Sequence, residues 1–439
     1  LRDYGKEKAE QTGIHPILRR RHRDWYQHLV SQVEAEWIGP RQLEWIARLE
    51  REQSNLREAM EFCLSEETDT GAEAGLRIAA ALFRFWLSRG LFREGRHWLD
   101  RALAHNPEHP TASRVGALYA ASVFAGVQGD LPASRALVDE AQALIPQITD
   151  PLARARITHA DGLLSLVSGD LPRARTRMEE ALEVFGDRGD LSSRVWALMM
   201  LGLVYELQGD VPRAIECHQQ VLNITEAHGE SVYRSYSLWA LGVAALQQAD
   251  RGQAAELLEQ CLRLSRLVDD PFTASMTLEA LAWIAGTEDH ARRAAILMGA
   301  AEALGRALGS TSVLFPTLLV RHEDCERLTR TALGERAFEA ARREGALLGF
   351  EGAVAYAFGE RTEATTQPAG SSATGLTKRE REVAELVAQG LTNKAIAAKL
   401  VISPRTAQGH VEHILSKLGF TSRTQIAGWF LEHAQDKRG

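Results

Sequence analysis

A turn signal that recurs every forty residues constrains the fold of this 439-residue chain more than any other feature. The dipeptides Gly129-Asp130, Gly169-Asp170 and Gly209-Asp210 are forty residues apart, and each Asp is followed two residues later by Pro. Gly ends one helix in the left-handed conformation, Asp caps the next helix, and Pro tolerates a first turn whose N–H groups lack intrahelical partners. A fixed period of this length indicates a solenoid or an array. We therefore predict that the repeating unit is a hairpin of two helices.

The same period continues on both sides of these three turns. Arg89-Gly90 precedes them, and Ala249-Asp250 and Glu288-Asp289 follow them at nearly the same interval. Apolar residues around the third turn have helical spacing; they are Leu198, Leu201, Gly202, Tyr205, Ala214, Val221 and Leu222. We expect six or seven hairpins between about residues 72 and 355, stacked into a superhelix with a concave surface.

One repeat carries a recognisable residue pattern. Leu201-Gly202, Tyr205, Gly209-Asp210 and Ala214 resemble a tetratricopeptide repeat. The forty-residue length exceeds the usual thirty-four and resembles the lengthened repeats of bacterial MalT-like regulators. HEAT and armadillo units share this length but lack the Gly-Asp signature. The resemblance implies a repeat array over 72–358 that senses a small-molecule or protein effector or mediates oligomerisation.

Aromatic residues recur in this region and have two interpretations, a ligand pocket or the core of the repeats. They are Trp86, Trp98, Trp196, Tyr205, Trp239 and Trp283. Trp86 and Tyr205 each lie four residues before a turn glycine, which is a core position of the repeat. We therefore predict that the set packs in the core. The pair His322 and Cys325 is interpreted as solvated helix residues and not as metal ligands.

Residues 1–71 have helical periodicity without the turn signal. The segment from Leu43 to Arg57 resembles the one that follows the nucleotide-binding and winged-helix modules of STAND-type regulators. Because the chain also starts with Leu1, we expect it to be the carboxy-terminal part of a larger ATP-dependent regulator. It contains no phosphate-binding loop and no hydrolase motif, so we expect no enzyme activity and no cofactor. The basic run 19–23 is expected to be a solvated helix face or a domain contact.

Composition excludes several classes of protein. The chain is 45% apolar and 25% charged, and no apolar run reaches the roughly 18 residues that a membrane-spanning helix needs. Four scattered cysteines form no CxxC pair, which favours neither a disulfide framework nor a zinc site but a reducing cytoplasm. Residues 359–375 are rich in Gly, Ser, Thr and Pro, and they are predicted to form a flexible linker.

The net charge of −7 conceals a local reversal. Residues 376–439 contain ten Lys or Arg and six Asp or Glu, so this segment carries +4 and the remainder −11. A small basic segment on an acidic carrier is typical of a nucleic-acid-binding unit. Four short helices are predicted in it from their capping signals, which are Thr377 with Glu380, Thr392, Ser403-Pro404, and Thr421 or Ser422.

The middle helices are separated by a short turn, as in a helix-turn-helix, whose second helix can enter the major groove. The segments 376–383, 390–394, 402–406 and 417–419, together with Ile396-Ala397 and His410-Val411, resemble the LuxR-type DNA-binding domain over its whole length. The predicted fold class is thus all-α, a superhelical tetratricopeptide-like array followed by a four-helix helix-turn-helix domain at 376–439.

The resemblance implies two sets of DNA contacts. The base-reading positions are Arg405, Gln408, Gly409 and Glu412, and the backbone-contacting positions are Thr392, Asn393, Lys394, Ser403, Thr406, His410 and Lys417. Arg pairs with guanine edges, Gln with adenine, and Glu accepts from cytosine N4. The sequence departs from the family at Ala395, which replaces the usual Glu of a capping box, and at Ala407. Gly409 either weakens its helix or allows a close approach to the groove.

These patterns predict a DNA-binding transcriptional regulator. The expected partners are double-stranded DNA and a second copy of the chain on a neighbouring half-site, with no membrane. The alternative is a protein-interaction scaffold in which the DNA module is an accessory anchor.

Overall fold

The computed structural model describes residues 14–66, 68–105, 110–308, 313, 316–360, 378–389, 391–400, 411, 414, 423, 425–427, 429 and 430. All regular structure in these ranges is helical. The chain divides into two compact units, Leu1–Arg361 and Thr362–Gly439. The linker predicted at 359–375 lies outside the described residues except at its first two positions.

The first unit is built from helical hairpins between two flanking groups of helices. The leading helices are α1 (His15–Ala35) and α2 (Gln42–Ser65). Six hairpins follow, formed by α3 (Asp69–Ala81) and α4 (Phe83–Ser88) with α5 (Phe92–His105), α6 (Ala112–Val127) with α7 (Leu131–Leu144), α8 (Pro151–Val167) with α9 (Leu171–Asp187), α10 (Leu191–Leu207) with α11 (Val211–His228), α12 (Val232–Gln247) with α13 (Arg251–Leu267), and α14 (Pro271–Thr287) with α15 (Ala291–Leu308). The closing helices are α16 (Pro316–Leu333), α17 (Glu335–Ala346) and α18 (Gly349–Ala357). The predicted helical solenoid is confirmed.

The turn inside each hairpin has the predicted geometry. Gly129 has a φ of 77°, and the N–H of Asp130 donates to the carbonyl of Ala125 at 2.9 Å, which is the long bond of a Schellman motif. The Asp130 carboxylate then accepts from the N–H of Ala133 at 3.2 Å and caps the next helix. Gly169 and Gly209 have φ values of 82° and 80° and are followed by the same cap.

Three of the turns between hairpins use the same device, which was not predicted from sequence. Gly189, Gly229 and Asp269 have φ values of 70°, 68° and 51°. Each is followed by an acid that accepts from the N–H groups of the next helix; these acids are Asp190, Glu230 and Asp270. The signal therefore recurs about every twenty residues. The signal is hard to see in the sequence because Glu230 replaces the usual Asp in one turn and Asp269 replaces the usual Gly in another.

The aromatic residues of the repeats belong mostly to the core. Trp86, Trp98, Tyr205, Trp239 and Trp283 are buried, as predicted, and Trp196 is half-buried. The basic run 19–23 was expected to be a solvated helix face or a domain contact; Arg20 and Arg21 are exposed, whereas Arg23 is buried within the same unit. The side chains of this run meet α2 and the residue after it: the Arg19 guanidinium lies 4.4 Å from the centre of the Phe62 ring, and buried Arg23 pairs with Glu66.

The array closes on itself after one turn of the superhelix. Arg89 Nη1 donates to the carbonyl of Val268 at 2.7 Å, and Arg89 Nη2 lies 2.7 Å from Glu50. Gln42 Nε2 donates to Glu230 at 2.7 Å, where both side chains are buried. These contacts join residues about 180 positions apart in sequence. The first hairpin and the leading helices are thus fixed against the fourth, fifth and sixth hairpins.

The closing helices cover the end of the array through contact between backbones. A Cβ atom on Gly299 would lie 2.0 Å from the carbonyl oxygen of Arg342, and one on Gly345 would lie 1.9 Å from that of Ile296. Helices α15 and α17 therefore approach each other only because both positions lack a side chain. The sixth hairpin has an apolar neighbour on this side and does not end in an exposed face.

The left-handed turns predict opposite effects for two substitutions. Gly209→Ala places a side chain at a φ of 80° with no atom within 4 Å, so its cost of about 1 kcal/mol is purely conformational. Ala249 has a φ of 62°, so Ala249→Gly should raise the free energy of unfolding by about 0.5 kcal/mol. Urea denaturation of the full chain measures both changes.

Gly186→Ala is the matched control for these turns. Gly186 lies within helix α9, also has no atom within 4 Å of an added Cβ, and has no left-handed φ. Its replacement should stabilise the chain by about 0.5–1 kcal/mol. If Gly209→Ala and Gly186→Ala changed the free energy of unfolding in the same direction, the role of the left-handed turn would be contradicted.

A buried imidazole makes the array sensitive to acid. His159 is 1% exposed, its Nδ1 lies 3.0 Å from the hydroxyl of Tyr119, and burial lowers its pKa to about 3. Because the folded pKa lies below the unfolded value of about 6.5, this ring destabilises the fold as the pH falls below that value. Between pH 6 and 5 the free energy of unfolding of the unaltered chain should fall by about 1.2 kcal/mol more than that of His159→Phe. Urea midpoints of the two chains at both pH values give this difference, and equal losses would contradict it.

Candidate nucleic-acid interface and interior of the array

The second unit has its own apolar core. Helices α19 (Lys378–Ala388) and α20 (Asn393–Leu400) are followed by helical residues at 411, 414, 423, 425–427, 429 and 430. Buried side chains from all these segments form one cluster, which contains Val383, Ala384, Leu386, Val387, Ile396, Val411, Ile414 and Ile426. The described apolar residues of this unit thus meet in one place.

Helix α20 begins with the predicted cap. Thr392 Oγ1 accepts from the N–H of Ala395 at 3.3 Å, and the Thr392 side chain is exposed. Ala395 is exposed too and supplies no carboxylate to complete a capping box. The N–H of Leu391 donates to the carbonyl of Leu386 at 3.1 Å and ends α19. Helix α20 is thus the first of the two middle helices for which the sequence predicts a helix-turn-helix.

One residue that holds this turn was not predicted from sequence. The guanidinium of Arg423 donates to the carbonyl of Leu391, across 32 positions of sequence. Arg423 was counted only as part of the basic charge of the segment. Its role depends on a tertiary contact between the last helical segment and the turn, and no local pattern reports that contact.

The structure locates only part of the predicted DNA-contacting set. Thr392 lies at the start of α20, and Asn393 and Lys394 are its first two residues. The side chains of Asn393 and Lys394 lie outside the described residues, as do Arg405, Gln408, Gly409, Glu412, Ser403, Thr406, His410 and Lys417. Their contacts with DNA remain predictions from the family resemblance.

The inner face of the array encloses a cavity of about 130 Å³. Side chains from α4, α6, α8, α10, α12 and α14 line it, so the first helix of every hairpin contributes. Its wall is mainly apolar and includes Leu163, Val167, Met199 and Leu203, with Trp196 beside them. The first helices of the hairpins thus surround the interior that the repeats predict as a concave surface.

A second cavity of about 320 Å³ adjoins the first. Three arginines line it, Arg77, Arg84 and Arg156, and Arg84 lines the apolar cavity as well. Sequence analysis missed these residues because each occurs in an ordinary amphipathic helix. Stacking of the first three hairpins brings α3, α4 and α8 to one place, because α6 packs against both α3 and α8.

The pair His322 and Cys325 was interpreted wrongly as solvated. Cys325 is buried at 4% exposure, and His322 Nδ1 lies 2.7 Å from buried Glu279, whose hydrogen bond raises the pKa of the imidazole. Helix α16 packs against α14 and so covers both residues. Within the described ranges, no group of three or more His, Cys, Asp or Glu could hold a metal ion.

All four cysteines are buried free thiols. No helix in the described part of the chain is both long and apolar enough to cross a membrane.

Two family models match separate parts of the chain. The model described as "Bacterial regulatory proteins, luxR family" matches residues 374–430, and the tetratricopeptide repeat model matches 193–266. The second match covers α10 to α13, which contain the repeat with the recognisable residue pattern.

Relatives and solved structures are similar over limited regions. A Mycobacterium tuberculosis (H37Rv) protein named as an HTH-type transcriptional regulator is 38% identical over 149 residues, which are 34% of this chain and 16% of that protein. The nitrate/nitrite response regulator NarL of Escherichia coli K12 is 48% identical over 54 residues, or 12% of this chain and 25% of NarL. A Rap protein complexed with competence and sporulation factor covers 77% of this chain and 98% of its own, at 11% identity and a TM-score of 0.47.

The chain thus spans a small fraction of the length of the mycobacterial relative. The core of the second unit and the capped start of α20 are consistent with the match of residues 374–430. The helical hairpins are consistent with the match of residues 193–266. The chain carries tetratricopeptide repeats in a helical array and a LuxR-family DNA-binding domain at its carboxy terminus.

Proposed function

We propose that this chain is a DNA-binding transcriptional regulator that acts in the cytoplasm. The match of residues 374–430 to the LuxR family is the observation that carries this proposal. The core of the second unit and the Thr392 cap at the start of α20 fit a helix-turn-helix. The charge of +4 on residues 376–439 favours contact with phosphates.

Base recognition is assigned to Arg405, Gln408, Gly409 and Glu412 through the family resemblance. Backbone contacts, which position the domain without reading sequence, are assigned to Thr392, Asn393, Lys394, Ser403, Thr406, His410 and Lys417. Because a single short helix reads only a few base pairs, we propose that two copies of the chain bind neighbouring half-sites.

The array is proposed to sense an effector or to mediate assembly of the chain. The feature that supports this proposal is the interior of the array, where the first helices of all six hairpins surround a cavity. The resemblance of the segment from Leu43 to Arg57 to STAND-type regulators, with the 16% coverage of the mycobacterial relative, supports a longer ATP-dependent protein. Any ATP hydrolysis is assigned to that longer protein.

Two lysines test the assignment of backbone contacts. Lys394→Ala and Lys417→Ala should each weaken the binding of all DNA sequences to a similar extent, because a phosphate contact carries no sequence information. Each should reduce the slope of log K against log salt by about one unit. Lys437→Ala, outside the matched residues 374–430, is the control and should leave the slope unchanged. Anisotropy titrations at several salt concentrations measure the slopes, and identical slopes for all three variants would contradict the assignment.

Gln408 tests the assignment of base recognition. Gln408→Ala should remove one preference, expected for adenine, from the sequences that the full chain selects from random DNA. The discrimination lost should be about 1–3 kcal/mol at one position of each half-site. An unchanged selected-site profile would show that another residue reads the bases.

A further inference from the structure

The closed array contains an apolar chamber with a cationic end. The apolar cavity of about 130 Å³ is lined mainly by aliphatic and aromatic side chains, and Val167 in its wall keeps 45% of its surface accessible. Met199, Met200 and Leu203, on α10, form another part of the wall. Covering such apolar surface with an apolar ligand is favourable because it removes that surface from water. A cavity of about 150 Å³ holds benzene, so this chamber of about 130 Å³ fits about six carbon atoms.

Arg84 lies where the apolar chamber meets the polar one. Its side chain is 11% exposed, and its contacts to Glu34 and to the Ser193 hydroxyl are both 3.5 Å long. Charge-assisted hydrogen bonds from guanidinium to carboxylate are normally about 2.7–2.9 Å. The guanidinium is therefore largely removed from water, and both of these contacts are longer than a normal charge-assisted hydrogen bond. It also interacts with the hydroxyl of Tyr233, which lines the apolar chamber. An additional carboxylate could bind it at full strength.

The electrostatic environment favours an anion at this point. Among its described lining residues, the polar chamber has three arginines and one carboxylate, Glu34. Arg77 and Arg156 contact Glu73 and Asp190, which are not part of the lining, at 3.8 and 3.2 Å. Each of the three arginines thus faces one carboxylate, and Arg84, whose pair with Glu34 is 3.5 Å long, is the one that also borders the apolar chamber. Low local dielectric strengthens the attraction of its nearly buried guanidinium for a negative head group.

We propose that the array binds a small carboxylic acid, with its apolar body in the chamber lined by α8 and α10 and its carboxylate on Arg84. The interpretation of this site as an effector site rests on the proposed function, but the binding of the acid does not depend on DNA recognition. A ligand there would contact the first helices of all six hairpins together.

Octanoate is the probe, because it joins a carboxylate to seven apolar carbons. Isothermal titration calorimetry with the full chain should show one octanoate site. Octanamide, with the same body and no charge, should bind at least tenfold more weakly. Acetate, which has the charge without the body, should show no binding in the same range. Equal affinities for octanoate and octanamide would overturn the role of the carboxylate.

Gly126 provides a variant that fills the chamber without straining the fold. A Cβ at Gly126 would meet Ser134 Oγ at 3.8 Å and Val167 at 3.9 Å, and both of these residues line the chamber. Gly126→Leu should therefore abolish the binding of octanoate and octanamide alike. Gly186→Leu, at an exposed helical glycine with no neighbour within 4 Å, is the matched control and should leave both affinities unchanged.

Arg84→Gln removes the charge of the site and leaves the volume of the chamber nearly unchanged. It should weaken octanoate binding at least tenfold and leave octanamide binding within about twofold. Undiminished octanoate binding in either Gly126→Leu or Arg84→Gln, or no octanoate binding to the unaltered chain, would overturn the proposal. DNA binding is measured separately without octanoate. Its failure would contradict the proposed function alone.

Discussion

An acid side chain that caps a helix directly after a left-handed residue is the interaction on which the array depends. It ends one helix and begins the next within three residues, as at Gly169-Asp170 and Gly189-Asp190. The helices between such turns are therefore nearly equal, at 17 residues for α8, α9 and α10, or about 26 Å. Equal helices present equal apolar faces, and the hairpins can stack at a constant angle.

A constant angle per hairpin leads the array back to its start. Buried Gln42 and Glu230 meet only because four hairpins lie between α2 and the turn that contains Glu230. Burial raises the pKa of Glu230, but its carboxylate accepts from Gln42 and from the N–H of Tyr233. The same group therefore caps a helix and closes the superhelix. The interior that the hairpins surround is where we propose that the array binds a small carboxylic acid.

Local physical chemistry made much of the fold predictable. The turns at Gly129, Gly169 and Gly209, the burial of Trp86 and Tyr205, and the cap at Thr392 all follow from residues close in sequence. The closure by Arg89, the chamber at Arg84 and the contact of Arg423 join residues far apart, and no local pattern encodes them. The burial of Cys325 was missed for the same reason, because α14 supplies its cover. The DNA-reading residues are assigned by family resemblance, since their environment on DNA is set by a partner.

The central claim is that sequence-specific DNA binding resides in the carboxy-terminal unit and serves regulation. It is tested most directly by selecting fragments of genomic DNA with the full chain and with a chain that ends at residue 375. The full chain should enrich a limited set of promoter fragments that share a two-part motif, and the shortened chain should enrich none. Equal enrichment by both chains, or retention of all regulatory effect without residues 376–439, would contradict the claim and favour a protein-interaction scaffold.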